Sequence, residues 1–139
     1  MNVKPVTLQN RFHPDNTTPK GEWVWVFGSN LAGRHAKGAA KIAHVTFKAQ
    51  YGIGKGLTGK AYAIPVKDAH LKALPLEEIA SEVNAFLEFA RKSTRLAFFI
   101  NRIGCVDDAY NDKDIAPLFR NAPENCCLPE EWKSCILAA

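Results

Sequence analysis

The sequence has no hydrophobic run approaching the roughly 18 apolar residues of a membrane span, so a membrane-spanning protein is not expected. The opening stretch, MNVKPVTLQNRFHPDN, lacks the basic, apolar and small-residue blocks of a secretory leader, and a cytoplasmic address is the expectation. Cysteine is scarce and poorly spaced: Cys105, Cys126, Cys127 and Cys135 form no CxxC or other zinc-like pattern. His13, His44 and His70 have no carboxylate or cysteine at ligand spacing, so no metal is expected, and no cofactor is expected either. Basic runs are also missing. Lys and Arg exceed Asp and Glu by 18 to 14, yet the longest basic run is Arg91-Lys92, which makes nucleic acid an improbable partner and leaves a small anion open. Internal repeats are absent.

What remains is 139 residues, 47% hydrophobic, enough for one domain with one core. Residues 1–22 carry Pro5, Pro14 and Pro19 and read as an irregular arm, and residues 23–139 read as the domain. Trp23-Val24-Trp25-Val26-Phe27 is a buried-strand run that feeds a turn at Gly28-Ser29-Asn30. A small-residue helix is expected from Gly38 through Gln50, followed by a loop in which Gly52, Gly54, Gly56 and Gly59 fall within eight residues. Ala61 to Val66 predicts a strand, with Pro65 at its end or at an irregular edge. Leu76, Ile79, Ala80, Val83, Leu87 and Ala90 recur at three- and four-residue steps and predict a helix. Leu96 to Ile100 predicts a strand covered on both faces. Ile115, Leu118 and Phe119 predict a short helix, with Asp114 as N-cap so that Pro117 falls in the first turn, and Ser134 to Leu137 a final strand. Alternating strands and helices imply an α/β fold, a three-layer α/β/α sandwich around a central mixed sheet.

Chemistry in such a sheet concentrates in the loops after the strands, where helix N-termini present free N–H groups. The first such loop holds Gly28, Ser29, Asn30, Gly33, Arg34, His35 and Gly38. It fits neither GxxxxGK[ST] nor GxGxxG, but it can offer backbone donors to a phosphate or ribose. Arg34 suits a bidentate phosphate contact and His35 proton transfer, while the competing reading is a turn whose glycines permit tight packing. Gly54, Lys55 and Gly56 would close over a diphosphate, or form a surface loop. Lys67 ends the second strand and Asp107 and Asp108 follow the third, a pairing suited to chemistry at a sugar anomeric carbon or, more plainly, a set of solvated turn residues. Gly104, Cys105 and Val106 lie in that third loop, with Cys105 read as a small buried hydrophobe. Tyr51 and Tyr110 flank these loops and are candidates for stacking on a base or ribose.

Taken together, VFGSNLAGRHAKGAAKIA, GIGKGLTGKAYAIPVKD and INRIGCVDDAYNDKDIAPLF resemble the macro domains, in particular small bacterial and phage proteins similar to them, over residues 23–137. The resemblance implies that the first loop, with Asn30, Gly33 and Gly38, embraces the distal ribose of ADP-ribose. It places the loop of Gly104, Cys105, Val106 and Asp107 around the diphosphate. It also implies an ADP-ribosyl-carboxylate hydrolase that uses Lys67 with Asp107 or Asp108, and a partner that is an ADP-ribose-like molecule or an ADP-ribosylated protein. The Gly-Asp-Ile-Thr whose aspartate recognises adenine in that family is missing, and the arm offers Asp15 instead. Two other functions fit the same residues: a non-catalytic interaction protein on this fold, and a hydrolase of another phosphorylated small molecule.

Overall fold

The computed structural model describes residues 12–14, 17–19, 21–35, 38–104 and 110–137. Among them six strands form one mixed sheet, with helices against it. The elements are β1 (Phe12–His13), β2 (Val24–Asn30), α1 (Gly38–Phe47), β3 (Gly56–Thr58), β4 (Ala61–Lys67), α2 (Leu76–Lys92), β5 (Phe98–Ile100), α3 (Asp112–Ile115), β6 (Cys126–Pro129) and α4 (Lys133–Leu137). The sheet order is β1-β6-β5-β2-β4-β3, and every neighbouring pair is parallel except β3 with β4. Because β2, β4 and β5 run the same way, their carboxyl ends lie along one edge of the sheet.

Side-chain alternation divides the core between the two faces. Val26, Ile64, Val66, Phe98 and Ile100 meet Ile79, Val83, Phe86 and Leu87 of α2. Trp25, Phe27, Ala61, Ala63 and Phe99 meet Ala43 and Phe47 of α1. Ala61 and Ala63 are small enough to let α1 approach, and the volume is filled by Trp25, whose rings stack between Phe47 at 4.9 Å and Phe99 at 5.5 Å. Each fully buried large side chain of this kind contributes about 1.5–3 kcal/mol.

Several boundaries differ from the sequence expectation. β2 continues through Gly28-Ser29-Asn30, where a turn was expected, because β4 remains beside it to the end. Pro65 sits inside β4, opposite Ser29, and the register then slips so that Asn30 faces Lys67. That irregularity accommodates a residue with no N–H to give to the ladder. The glycine-rich loop contains the short antiparallel strand β3, and Phe12–His13 adds a parallel strand at the other edge. The cap of α3 is Asn111, not Asp114. Asn111 accepts from the Asp114 N–H at 3.1 Å while Asp114 accepts from the Asn111 N–H at 3.1 Å, and Pro117 lies in the 3-10 turn of residues 116–119 that follows. The final strand is Cys126–Pro129, beside β5, whereas Ser134 to Leu137 is helical.

Candidate functional site

A cavity of about 320 Å³ opens at the carboxyl ends of β2, β4 and β5, within the size range of small-molecule sites. β2 supplies Gly28, Ser29 and Asn30, the loop after it Arg34, and the first turn of α1 Ala39 and Ala40. β4 and its following turn supply Val66, Lys67, Leu71 and Ala73; the chain after β5 supplies Asn101, Arg102, Ile103 and Gly104; and Tyr110 completes the lining. At Gly28 a Cβ would stand 3.4 Å from Ile103 Cβ and Val66 Cγ2, in ordinary van der Waals contact, so a small residue there keeps the cavity open without being forced by a clash.

The polar lining is held by the fold. The Ser29 hydroxyl is buried and donates to the Gly54 carbonyl. Asn30 turns its amide onto the next loop: Nδ2 donates to the Arg34 carbonyl at 3.0 Å and Oδ1 accepts from the Arg34 N–H at 3.1 Å. With the Gly33 N–H on the Asn30 carbonyl at 2.9 Å, these bonds close residues 30–34 into a tight turn. Asn101 extends the ladder past β5, its N–H and Nδ2 both donating to the Val26 carbonyl, at 3.0 and 2.8 Å. Gly104 has φ +74°, a backbone conformation that calls for glycine, and a Cβ there would also press on the end of the Ile115 side chain at 2.9 Å.

The lining is mostly apolar, with basic side chains at its border. Arg34, Lys67 and Arg102 all border the cavity, and no Asp or Glu is among its described lining residues. Arg102 is anchored from behind: Nε and Nη2 donate to the two carboxylate oxygens of Asp112 at 3.1 and 2.7 Å, and the buried indole of Trp132 donates to the same carboxylate at 2.9 Å. Just beyond Lys67, Asp68 shapes the turn that carries Leu71. The Lys72 N–H, then the His70 N–H, hold its carboxyl below the usual carboxylate range.

The expected site residues divide into three groups. Gly28, Ser29, Asn30, Arg34, Lys67, Gly104 and Tyr110 come together at the cavity. Gly38 opens α1 one residue before its lining. Gly33, His35, Tyr51, Gly54, Lys55 and Gly56 are not part of it. Gly33 and Gly54 instead allow backbone to pack on backbone, against Gly52 and against the Asn30 carbonyl. His35 is buried under Phe27, with Nε2 donating to the Gln50 carbonyl at 2.9 Å, and the Tyr51 hydroxyl donates to the His35 carbonyl at 3.2 Å. Lys55 pairs with Glu82 at 3.0 Å, and Gly56 begins β3 with φ +88°. Cys105, Val106, Asp107 and Asp108 lie outside the described residues, as does Asp15.

Among the lining residues not singled out beforehand, Arg102 had a legible signal: a cation directly after a buried apolar strand on a candidate ligand loop. Leu71 had none, because nothing in its local sequence marks a leucine that adopts φ +66°. Ala39 and Ala40 read only as packing residues of α1.

Comparisons with protein-family models, with curated proteins and with solved structures find no match for this chain. Among the described residues no group of His, Cys, Asp or Glu is placed to hold a metal ion, and no helix is long and apolar enough to cross a membrane. The arrangement is thus a strand-end cavity of mostly apolar surface, bordered by Arg34, Lys67 and an Arg102 that is paired with Asp112.

Proposed function

We propose that this chain is a macro domain-like module that binds ADP-ribose or a related nucleoside diphosphate ribose in the cavity at the ends of β2, β4 and β5. The observation that carries the reading is the meeting of the Asn30 loop, Lys67 and Gly104 at one cavity whose charged lining residues are Arg34, Lys67 and Arg102. A diphosphate complements that charge, and the first turn of α1 beside it adds the positive end of a helix. The bonds from Asn30 to Arg34 refine its part: the asparagine shapes the loop that receives the ligand, and its second Nδ2 hydrogen and remaining Oδ1 lone pair are its means of touching a ribose. In this reading Lys67 borders the reacting end, and hydrolysis of an ADP-ribosyl ester pairs it with Asp107 or Asp108.

Calorimetric titration with ADP-ribose, ADP and ribose 5-phosphate, alongside thermal unfolding, tests the proposal. Saturable heat and stabilisation by ADP-ribose are expected; neither heat nor stabilisation at millimolar ligand rejects it. If ADP-ribose binds, incubation with a carboxylate-linked ADP-ribosylated peptide decides turnover. Release of ADP-ribose that is lost in Lys67→Ala, even at peptide concentrations that saturate the variant, identifies a hydrolase. No release from the parent chain identifies a binding module.

A further inference from the structure

The charges of this chain are unevenly divided. Residues 23–67 hold seven Lys and Arg and not one Asp or Glu, while the rest of the chain holds eleven against fourteen. The fold turns that asymmetry along the sequence into one in space. Residues 31–60 supply α1 and the segments that flank it, so the layer over Trp25, Phe27 and Phe99 is built from the acid-free stretch. The α2 helix differs, with Glu77, Glu78, Glu82 and Glu88 against Arg91 and Lys92.

No basic run marks this face in the sequence, because helix geometry and one turn assemble it. α1 buries Ala43 and Phe47 against the sheet. Lys41 and His44 on the helix and Lys48 just past its end follow at three- and four-residue steps, with both lysines exposed and His44 half-buried. Lys60 joins them through the backbone: its N–H donates to the Phe47 carbonyl at 2.8 Å, and Gly59 packs against the Lys48 carbonyl. Glu22 approaches Lys60 at 3.9 Å, but both side chains are mostly exposed and solvent screens that pair. Tyr51 stands beside the same stripe. Its ring meets the His44 ring edge-on at 4.4 Å, and its hydroxyl donates to the His35 carbonyl at 3.2 Å, which holds the ring in place with the residue 56% exposed. A surface that only solubilises the chain intersperses both signs of charge. This one excludes acid and anchors an exposed aromatic ring among its cations, the combination that tracks phosphates and stacks a base.

We propose that the outer face of the α1 layer docks single-stranded nucleic acid, with backbone phosphates along Lys41, Lys48 and Lys60 and a base stacked on Tyr51. The inference stands apart from the ADP-ribose reading, since none of these four residues lines the strand-end cavity. Charge supplies the attraction, and the aromatic ring favours a strand with unpaired bases over a duplex, whose bases are stacked on one another.

The test is fluorescence anisotropy of a labelled, mixed-sequence DNA single strand of about 20 nucleotides, titrated with the full chain at several sodium chloride concentrations. The duplex of the same sequence and labelled polyglutamate are the comparison probes. Saturable binding of the single strand is expected, with a slope of log affinity against log salt of about −2 for three phosphates. Lys41→Gln and Lys48→Asn should each weaken binding about three- to fivefold and flatten the slope by about 0.7. Asparagine suits the φ of +64° at Lys48, so that variant should unfold at or above the parent temperature and separates lost charge from lost structure. Tyr51→Ala should weaken binding about tenfold while leaving the salt slope unchanged. Lys92→Gln, on the exposed side of α2, should stay within about twofold of the parent. No binding of the single strand at about 1 mM protein and low salt overturns the inference. So does a Lys92→Gln loss equal to that of Lys41→Gln, which would remove the face, or tighter binding of the duplex, which would remove the stacked base. Polyglutamate bound as tightly as the single strand also overturns it and assigns the face to an acidic polypeptide instead.

Discussion

Removing the Asp112 carboxylate should cost more than its position on a short helix suggests. In Asp112→Ala, the fully buried Trp132 indole N–H loses its acceptor, and an unsatisfied buried donor costs about 1–3 kcal/mol. The same substitution removes the two-pronged bond to Arg102. With the two side chains 32% and 24% exposed, solvent screening limits that part to about 1 kcal/mol. The expected loss is about 2–4 kcal/mol, a large share of the roughly 5–15 kcal/mol that holds a domain of this size together. Asp112→Asn retains an amide oxygen for the indole and should lose only about 1 kcal/mol. Urea unfolding followed by tryptophan fluorescence measures both. The background Trp132→Phe supplies the control: with no indole N–H to strand, Asp112→Ala should cost at least about 1 kcal/mol less there than in the parent. A cost for Asp112→Ala under about 0.5 kcal/mol, or one unchanged by Trp132→Phe, would refute the reasoning.

Other expectations follow from single contacts. Gly54→Ala drives a Cβ into the Asn30 carbonyl oxygen, so it should destabilise by about 1–3 kcal/mol or more and weaken ADP-ribose binding as β2 is pushed from the cavity; an alanine variant as stable as the parent contradicts the close approach. Asp68 has a folded-state pKa below its ordinary 3.8, so its contribution is fully present above that value and is lost as pH falls through the lowered one. NMR titration of its carboxyl carbon should show the depressed midpoint, and an ordinary midpoint would remove the turn from the account. Arg34→Ala and Lys67→Ala should each weaken ADP-ribose about three- to tenfold and flatten the salt dependence of binding, read by calorimetry across sodium chloride concentrations.

The parts of the fold that were legible in the sequence are those whose burial leaves a long, regular pattern. α2 shows its apolar face at helical spacing over 17 residues, and β2, β4 and β5 are apolar runs because both sheet faces are covered. The C-terminal reversal had no such signal. Cys126-Cys127-Leu128 and Ser134 to Leu137 are both short and mostly apolar, and so few residues carry no period that separates strand from helix. β3 was hidden because glycine and threonine in Gly56–Thr58 take their ladder from β4 rather than from local propensity.

The site was legible to a similar depth. Strand-end loops pointed to Gly28, Ser29, Asn30, Lys67 and Gly104, and parallel pairing brings them to one cavity. Sequence alone could not say that Gly33 and Gly54 serve backbone packing while Gly28 lines the cavity, since all three are glycines in or beside candidate loops. The difference is a tertiary distance. His35 likewise looked available on a polar loop but is buried against Phe27 and bonded to Gln50.

Amide chemical-shift mapping with ADP-ribose tests the central claim most directly. Gly28, Ser29, Asn30, Arg34, Asn101 and Gly104 line the cavity, and their amides should shift saturably, while those of β1 at the far edge of the sheet and of the solvent-facing turns of α2 stay in place. No shift at millimolar ADP-ribose, or shifts confined to residues away from the ends of β2, β4 and β5, would contradict the account.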